Sequence, residues 1–235
     1  MDIYISDLQA GLFTTTLDLS NKIGLAGGII EATKGLFDNS PTMLNVPQDA
    51  PAEIPRMILK NSDSSYMLHF GLNRFDFFYH DRSMVGGLPT KKFEDIKVDF
   101  LAKLASVNSS LLTLTGSKIV RLGLIPTFLI KNEDGASIFI RKLYFNQDKV
   151  DEDVTDISFA TNKRGKLESF NVNMGVRGTA FRKKNDGMDN KLSIFNIDVN
   201  TIPEELLDVK IEDINKFFTS AYDHIEKNLS SYIDE

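Results

Sequence analysis

The sequence predicts an α+β fold, an antiparallel β-sheet curved around a long C-terminal amphipathic helix with a smaller N-terminal β-α-hairpin-α part. Three observations predict it. Ile211, Ile214, Phe218, Ala221, Ile225, Leu229 and Ile233 recur at steps of three and four, one apolar stripe on a helix of about 23 residues. Phe170, Val172, Met174, Val176 and Ala180 alternate with Asn171, Asn173, Arg177 and Thr179, as a strand with one buried and one polar face does. A helix of that length spans roughly 34 Å, so its stripe needs a broad sheet to cover it.

The elements follow in order. Residues 2–17 read as a strand, with Ile3, Ile5, Leu12, Thr14 and Thr16 alternating. Ser20 opens a helix to about Phe37 whose apolar positions are Ile23, Ala26, Ile30 and Phe37. In that helix Gly24 and Gly28 form a small-xxx-small step, which lets another helix approach closely. Residues 38–56 hold Pro41, Pro47, Pro51 and Pro55 and read as a surface loop. Met57–Lys60 and Tyr66–Asp81 form a hairpin, the second strand slipping its alternation at Asn73–Arg74 as a β-bulge does. Thr90 caps a helix carrying Phe93, Ile96, Phe100, Leu101, Leu104 and Val107 and ending near Asn108.

The second half is mostly β. Lys118–Lys131 presents Val120, Leu122, Leu124, Phe128 and Ile130 on one face, and Pro126 places it at an edge or a bulge. Asp134-Gly135 turns the chain into a strand over Ser137–Phe145. Strands near 154–161, 167–181 and 191–199 follow, joined by turns at Arg164-Gly165 and Asp186-Gly187. The organisation is an N-terminal half over residues 1–110 and a meander plus helix over 111–235, which one continuous domain also accommodates. The order strand, helix, hairpin, helix makes the first half a smaller version of the second, with no repeat at the level of residues.

Composition narrows the function. The chain has 235 residues, 42% of them hydrophobic and 26% charged, which is ordinary globular material. Zero cysteines exclude disulfides, thiolate nucleophiles and thiolate-bound metals. The net charge of −6 argues against a protein built mainly to coat nucleic acid. No apolar run is long enough to span a membrane and MDIYISD lacks the basic start of a leader, so a cytoplasmic protein without membrane contact is expected.

Catalytic patterns are missing as well. His69, His80 and His224 stand in no metal-binding spacing, and no GxSxG or phosphate-binding glycine loop occurs, so no cofactor is expected. Asp148, Asp151, Glu152, Asp153 and Asp156 form an acidic cluster without the pattern of a calcium loop. The basic groups Lys163-Arg164-Lys166 and Arg182-Lys183-Lys184 read as turns at opposite ends of one strand, too far apart to form one patch. Phe70, Phe75, Phe77, Phe78 and Tyr79 crowd one strand and cannot all face one core.

Three stretches carry a resemblance: IPRMILKNSDSSYMLHFGLNRFDFFYH, then KIVRLGLIPTFLI, then KLSIFNIDVNTIPEEL before the last helix. In order and spacing they resemble a sporadically distributed prokaryotic family of similar length and uncharacterised function. Arg121, Gly123 and Leu124 match its central strand, whereas Ile125-Pro126-Thr127 departs from it. The patchy occurrence of that family implies an accessory or defence role. It carries no site residues across.

Together these readings predict a non-enzymatic protein that self-associates, as a dimer, and docks on a partner protein. The expected surface comprises Phe75, Phe77, Tyr79 and His80 with Asn171, Asn173 and Arg177. Nucleic acid ranks behind protein as the partner. The alternative is a carrier of a small apolar ligand held between the sheet and the C-terminal helix. A third reading, a metal-free enzyme, would use Asp76, His80 and Asp81.

Overall fold

In the computed structural model, residues 3–85, 88–132, 135–145, 156–182, 189–202 and 209–233 are described. The first strand, β1 (Ile3–Thr14), buries Ile5, Leu8, Ala10 and Leu12 and turns Asp7, Gln9 and Phe13 the other way. It is followed by α1 (Lys22–Ala32), β2 (Thr42–Met43), β3 (Met57–Lys60), β4 (Tyr66–Phe70) and β5 (Arg74–His80). A small ribbon of β6 (Met84–Val85) and β7 (Leu88–Pro89) leads into α2 (Phe93–Thr115). The second half comprises β8 (Ile119–Lys131), α3 (Ala136–Tyr144), β9 (Asp156–Leu167), β10 (Phe170–Arg182), β11 (Asp189–Thr201) and α4 (Ile211–Ile233).

Nine of the strands form one antiparallel sheet in the order β2-β3-β4-β5-β1-β8-β11-β10-β9. The described helices pack on one face of it. Phe100 of α2 meets Phe77, Phe139 of α3 meets Phe195, and Phe217 of α4 meets Phe170 edge to face. Helix α1 adds Ala26 and Ile29 to the same core. Burying a large aromatic or aliphatic side chain contributes about 1.5–3 kcal/mol, so this layer holds the sheet together. None of the described helices is long and apolar enough to cross a membrane.

The two halves repeat one order. Both halves run strand, helix, antiparallel meander and 23-residue helix; the meander is β3-β4-β5 in residues 3–115, where the short β2, β6 and β7 are additional, and β9-β10-β11 in residues 119–233. The copies meet where β1 lies antiparallel to β8, and α2 lies antiparallel to α4 above that seam. Two contacts between these helices are counterparts. Lys97 binds Glu226 and Asn108 binds Asn215; Lys97 and Asn215 are 118 positions apart, and so are Asn108 and Glu226. The boundary expected after residue 110 falls inside α2, which ends instead at Gly116 in the left-handed conformation (φ 59°).

Several elements differ from the sequence reading, each for a physical reason. The long strand expected over Tyr66–Asp81 is two strands. The chain reverses at Gly71, whose N–H bonds the Arg74 carbonyl, and a Cβ there would lie 2.8 Å from the Ala52 carbonyl oxygen. The slip in alternation is that reversal, not a bulge. As a result Phe70, Phe75, Phe77 and Tyr79 do share one face, and Phe78 alone points away.

Ser137–Phe145 is helix rather than strand, because Ala136, Phe139 and Ile140 bury at helical spacing after Gly135 turns the chain at φ 104°. Asn21 caps α1 in place of Ser20, and Lys92 precedes α2 in place of Thr90. Helix α2 extends past Asn108 because Leu111 continues its buried stripe.

Pro126 lies inside the sheet, not at an edge. The β8–β11 ladder skips it, resuming at Leu124–Val199 after Asn196–Thr127. On its other side β1 carries the bulge, at Ser6, between the pairs Ile5–Phe128 and Asp7–Thr127. Strand β9 runs through Arg164-Gly165, and the turn falls at Glu168-Ser169, with Glu168 at φ 54°. Gly28 brings α2 close as expected, its missing Cβ leaving 3.2 Å to Leu114, whereas Gly24 lies over its own cap, Asn21. The acidic cluster up to Asp153, the Asp186-Gly187 turn and the side chains of Arg182-Lys183-Lys184 lie outside the described residues.

Candidate binding surface

With the described helices on one side, the opposite face of the sheet has no described element over it. The register assigns its side chains row by row. In one row Arg74 and Arg121, from β5 and β8, flank Phe13 of β1. Their guanidinium carbons lie 4.4 and 5.0 Å from the Phe13 ring centre, close enough for cation–π attraction. The next row runs Asp76, Gly11, Gly123, Asn200, Asn173 and Arg164 across six strands. Beside it Asn171 pairs with Lys166.

Asp76 is committed locally. It accepts a hydrogen bond from Gln9 (2.8 Å) and another from Arg74, and it is buried. Arg121, Arg164, Lys166 and Arg177, by contrast, have no ion pair with any described residue. Arg121 also keeps a buried Nε without a hydrogen-bond partner, as does Arg74.

A notch opens beside this band. Ile125, Ala160, Asn162, Gly175, Arg177 and Asp198 line it together with Asn196, and it holds about 260 Å³. It exists because Gly175 and Ala160 put no bulk between the longer side chains. A Cβ on Gly175 would lie 2.5 Å from Asn162 Oδ1. The gap in the β8–β11 ladder lies alongside, at Pro126. Donors and acceptors therefore converge on one small space: a guanidinium, a carboxylate and two amides.

His80 occupies the far row with its own partner. Its Nδ1 bonds the carboxylate of Asp7, directly across on β1, and Ser6 Oγ donates to the same group at 2.7 Å. Burial pushes the Asp7 pKa up, but the bonds from His80 and Ser6 outweigh that and hold it below the ordinary carboxylate value. Phe78 links His80 to His69, with ring centres 5.7 and 4.7 Å from the two. Burial holds the His69 pKa below the usual imidazole value. His80 Nε2 is buried and unpartnered, with no nucleophile at hydrogen-bond distance, and neither Asp7 nor His80 lines the notch. Among the described residues no group of His, Asp and Glu could hold a metal ion.

The three residues of the enzymatic reading are thus not brought together. Asp76 holds Arg74, His80 holds Asp7, and Asp81 staples a loop. Asp81 accepts from Ser83 Oγ and from the backbone N–H groups of Ser83, Thr90 and Lys91 at 2.5–3.1 Å. Burial raises its pKa, yet these bonds dominate and lower it. A depressed folded pKa contributes stability above the unfolded value near 3.9, and that contribution is lost as pH falls through the folded one. Asp81→Asn is therefore expected to have a lower urea midpoint than the parent at pH 7, with a smaller gap at about pH 3 as the carboxylate begins to protonate. A gap of equal size at both pH values would contradict the assignment.

The expected interaction residues divide between the two faces. Asn171, Asn173, Arg177 and His80 are on the open face. Phe75, Phe77 and Tyr79 are in the core beneath the helices, at 0%, 0% and 8% exposure, so they form no surface in the monomer. Burial pushes the Tyr79 hydroxyl up to about 12, in keeping with that position. Sequence reasoning missed Arg74, Arg121 and Asp7. For Arg121 a signal existed: parity with the buried Leu122 and Leu124 places it on the opposite face.

No family model matches the chain, and no curated protein does. Among solved structures it is similar to the rolling circle replication initiator protein from Geobacillus stearothermophilus, at a TM-score of 0.34 and 12% identity, over 99% of this chain and 85% of that one. A likeness that weak transfers nothing to this chain.

Proposed function

We propose that the protein is a non-enzymatic binding and assembly protein that docks its partner on the open face of the sheet. One observation carries this reading. A nine-stranded face has no described element over it, and it combines amide side chains, cations that lack an ion pair with any described residue, and half-buried Phe13, Phe78, Ile125 and Leu129. Interfaces favour that mixture of arginine, aromatic and aliphatic groups. Self-association has a support of its own. Edge strand β9 offers 12 residues of backbone that pair on one side only among the described residues.

The carrier reading has less support. The cavity between the sheet and the end of α4, lined by Met174, Val176, Ile197 and Tyr232, holds about 230 Å³. Ligand pockets run to about 300–1,000 Å³.

The absence of cysteine permits a clean test. Asn162→Cys places one thiol on the exposed open face, and Val98→Cys places one on α2, where Val98 is 82% exposed. Each variant is coupled to a thiol-reactive benzophenone and irradiated in extract of its own host. Adducts from the Asn162 position, against few from Val98, support docking on the open face, and an adduct of twice the chain mass reports self-association. Equal yields at both positions, or none at either, would sink the reading.

A further inference from the structure

We infer that the partner on the open face is a single-stranded nucleic acid, its phosphates on the Arg74–Lys166 band and one base in the notch beside it; this rests on the docking reading above. The sheet register is what assembles the band. Arg74, Arg121, Arg164 and Lys166 come from strands β5, β8 and β9; Asp76 is the acid within their two rows, and Asp198, bonded to Asn200, stands in the next row. Six strands at about 4.8 Å spacing make a track of about 24 Å. Arg74 is paired with Asp76, which leaves Arg121, Arg164 and Lys166 without an ion pair to any described residue. The chain as a whole carries −6, so this concentration of cations runs against its average charge. A polyanion neutralises it.

Two further features favour a nucleic acid over an acidic polypeptide. The guanidinium groups of Arg74 and Arg121, held against Phe13, are planar surfaces on which bases stack. Next to Asn173 and Arg164, the notch gathers Arg177, Asn162, Asn196 and Asp198, the donors and acceptors that read base edges. Carboxylate side chains would use the cations and leave that notch unmatched. A duplex, with its bases stacked inside, would use neither the stacking planes nor the notch.

The test is fluorescence anisotropy with labelled oligodeoxythymidylate and a mixed-sequence strand across a salt series. Neutralising three phosphates, one for each unpaired cation of the band, gives a log–log slope of about −2.1, so affinity should fall about 18-fold between 50 and 200 mM salt. Removing two cations with Arg121→Gln and Arg164→Gln should cut that fall to about 3-fold. A second pair, Arg164→Gln with Lys166→Gln, alters only exposed side chains and should do the same, which guards against misfolding. Asn196→Ala should change the preference among bases and leave the slope alone.

No binding, a slope near zero, or equal competition by duplex would overturn the inference. The benzophenone adducts at Asn162 separate the two failures. Adducts that resist nuclease and yield to protease, with no oligonucleotide binding, would reject nucleic acid and leave open-face docking standing. Absence of adducts at that position would reject docking itself.

Discussion

Phe77→Ala is expected to lower stability by about 3–5 kcal/mol, and Phe78→Ala, one residue on, by only about 1 kcal/mol. Phe77 is fully buried among aromatic rings, with Phe100 and Tyr66 at 5.4 and 5.6 Å and Phe37 at 6.4 Å. Removing it loses the transfer energy and leaves a cavity, since three rings anchored on a loop, a strand and a helix cannot all collapse inward. Phe78 points to the open face, where it touches only His69 and His80 among the described rings. Urea unfolding at constant slope measures both variants. Equal losses would mean that β5 is one residue out of register, which would also move Asp76 and His80 off the open face.

The second large effect is expected at Arg56, a buried cation without a carboxylate partner among the described residues. Its guanidinium donates to four backbone carbonyls: Ile54 at 2.8 Å, Ala50 at 3.2 Å, and Pro51 and Ala52 at 3.4 Å. The proline-rich segment has few regular ladder bonds, so these contacts and Leu72 N–H to Ala52 (2.6 Å) fold it against the β4–β5 turn. Arg56→Ala strands the carbonyls in a site that is only 6% exposed, at a cost of about 2–3 kcal/mol. Arg56→Lys should recover little, because an ammonium lacks the planar fork that reaches four acceptors. Denaturation reads the stability, and limited proteolysis should show new cleavage within residues 44–55. A lysine variant as stable as the parent would show that charge alone, not the fork, organises the segment.

How much was legible depended on the range of the interaction involved. The α4 stripe runs over the residues expected, Ile211 to Ile233, since helical periodicity is a local property repeated over six turns. The alternation of β10 was equally plain, and it correctly assigned Asn171, Asn173 and Arg177 to the polar side. Where a signal was short, local rules failed. The reversal at Gly71 looked like a bulge because both shift the alternation by one. The nine residues of α3 looked like a strand because apolar runs of that length satisfy either period.

The binding surface was partly visible. Parity along one strand placed Asn173 and Arg177 on the polar face of β10, and the same parity offered, unused, a place for Arg121 on the outer face of β8, but no sequence rule said that β1 would join the two halves. That pairing sets Arg74 beside Arg121, which are 47 positions apart, and it turns His80 toward Asp7 rather than Asp81.

By itself, then, the sequence determined the α+β class, the long terminal helix and the polar face of the middle strand, all of which follow from periodicities read within one segment. Only the tertiary structure decided which aromatic rings are core, which carboxylate His80 holds, and that cations from three separate strands form one band. Those outcomes depend on strand order and register, and these are set by contacts between residues far apart in the chain.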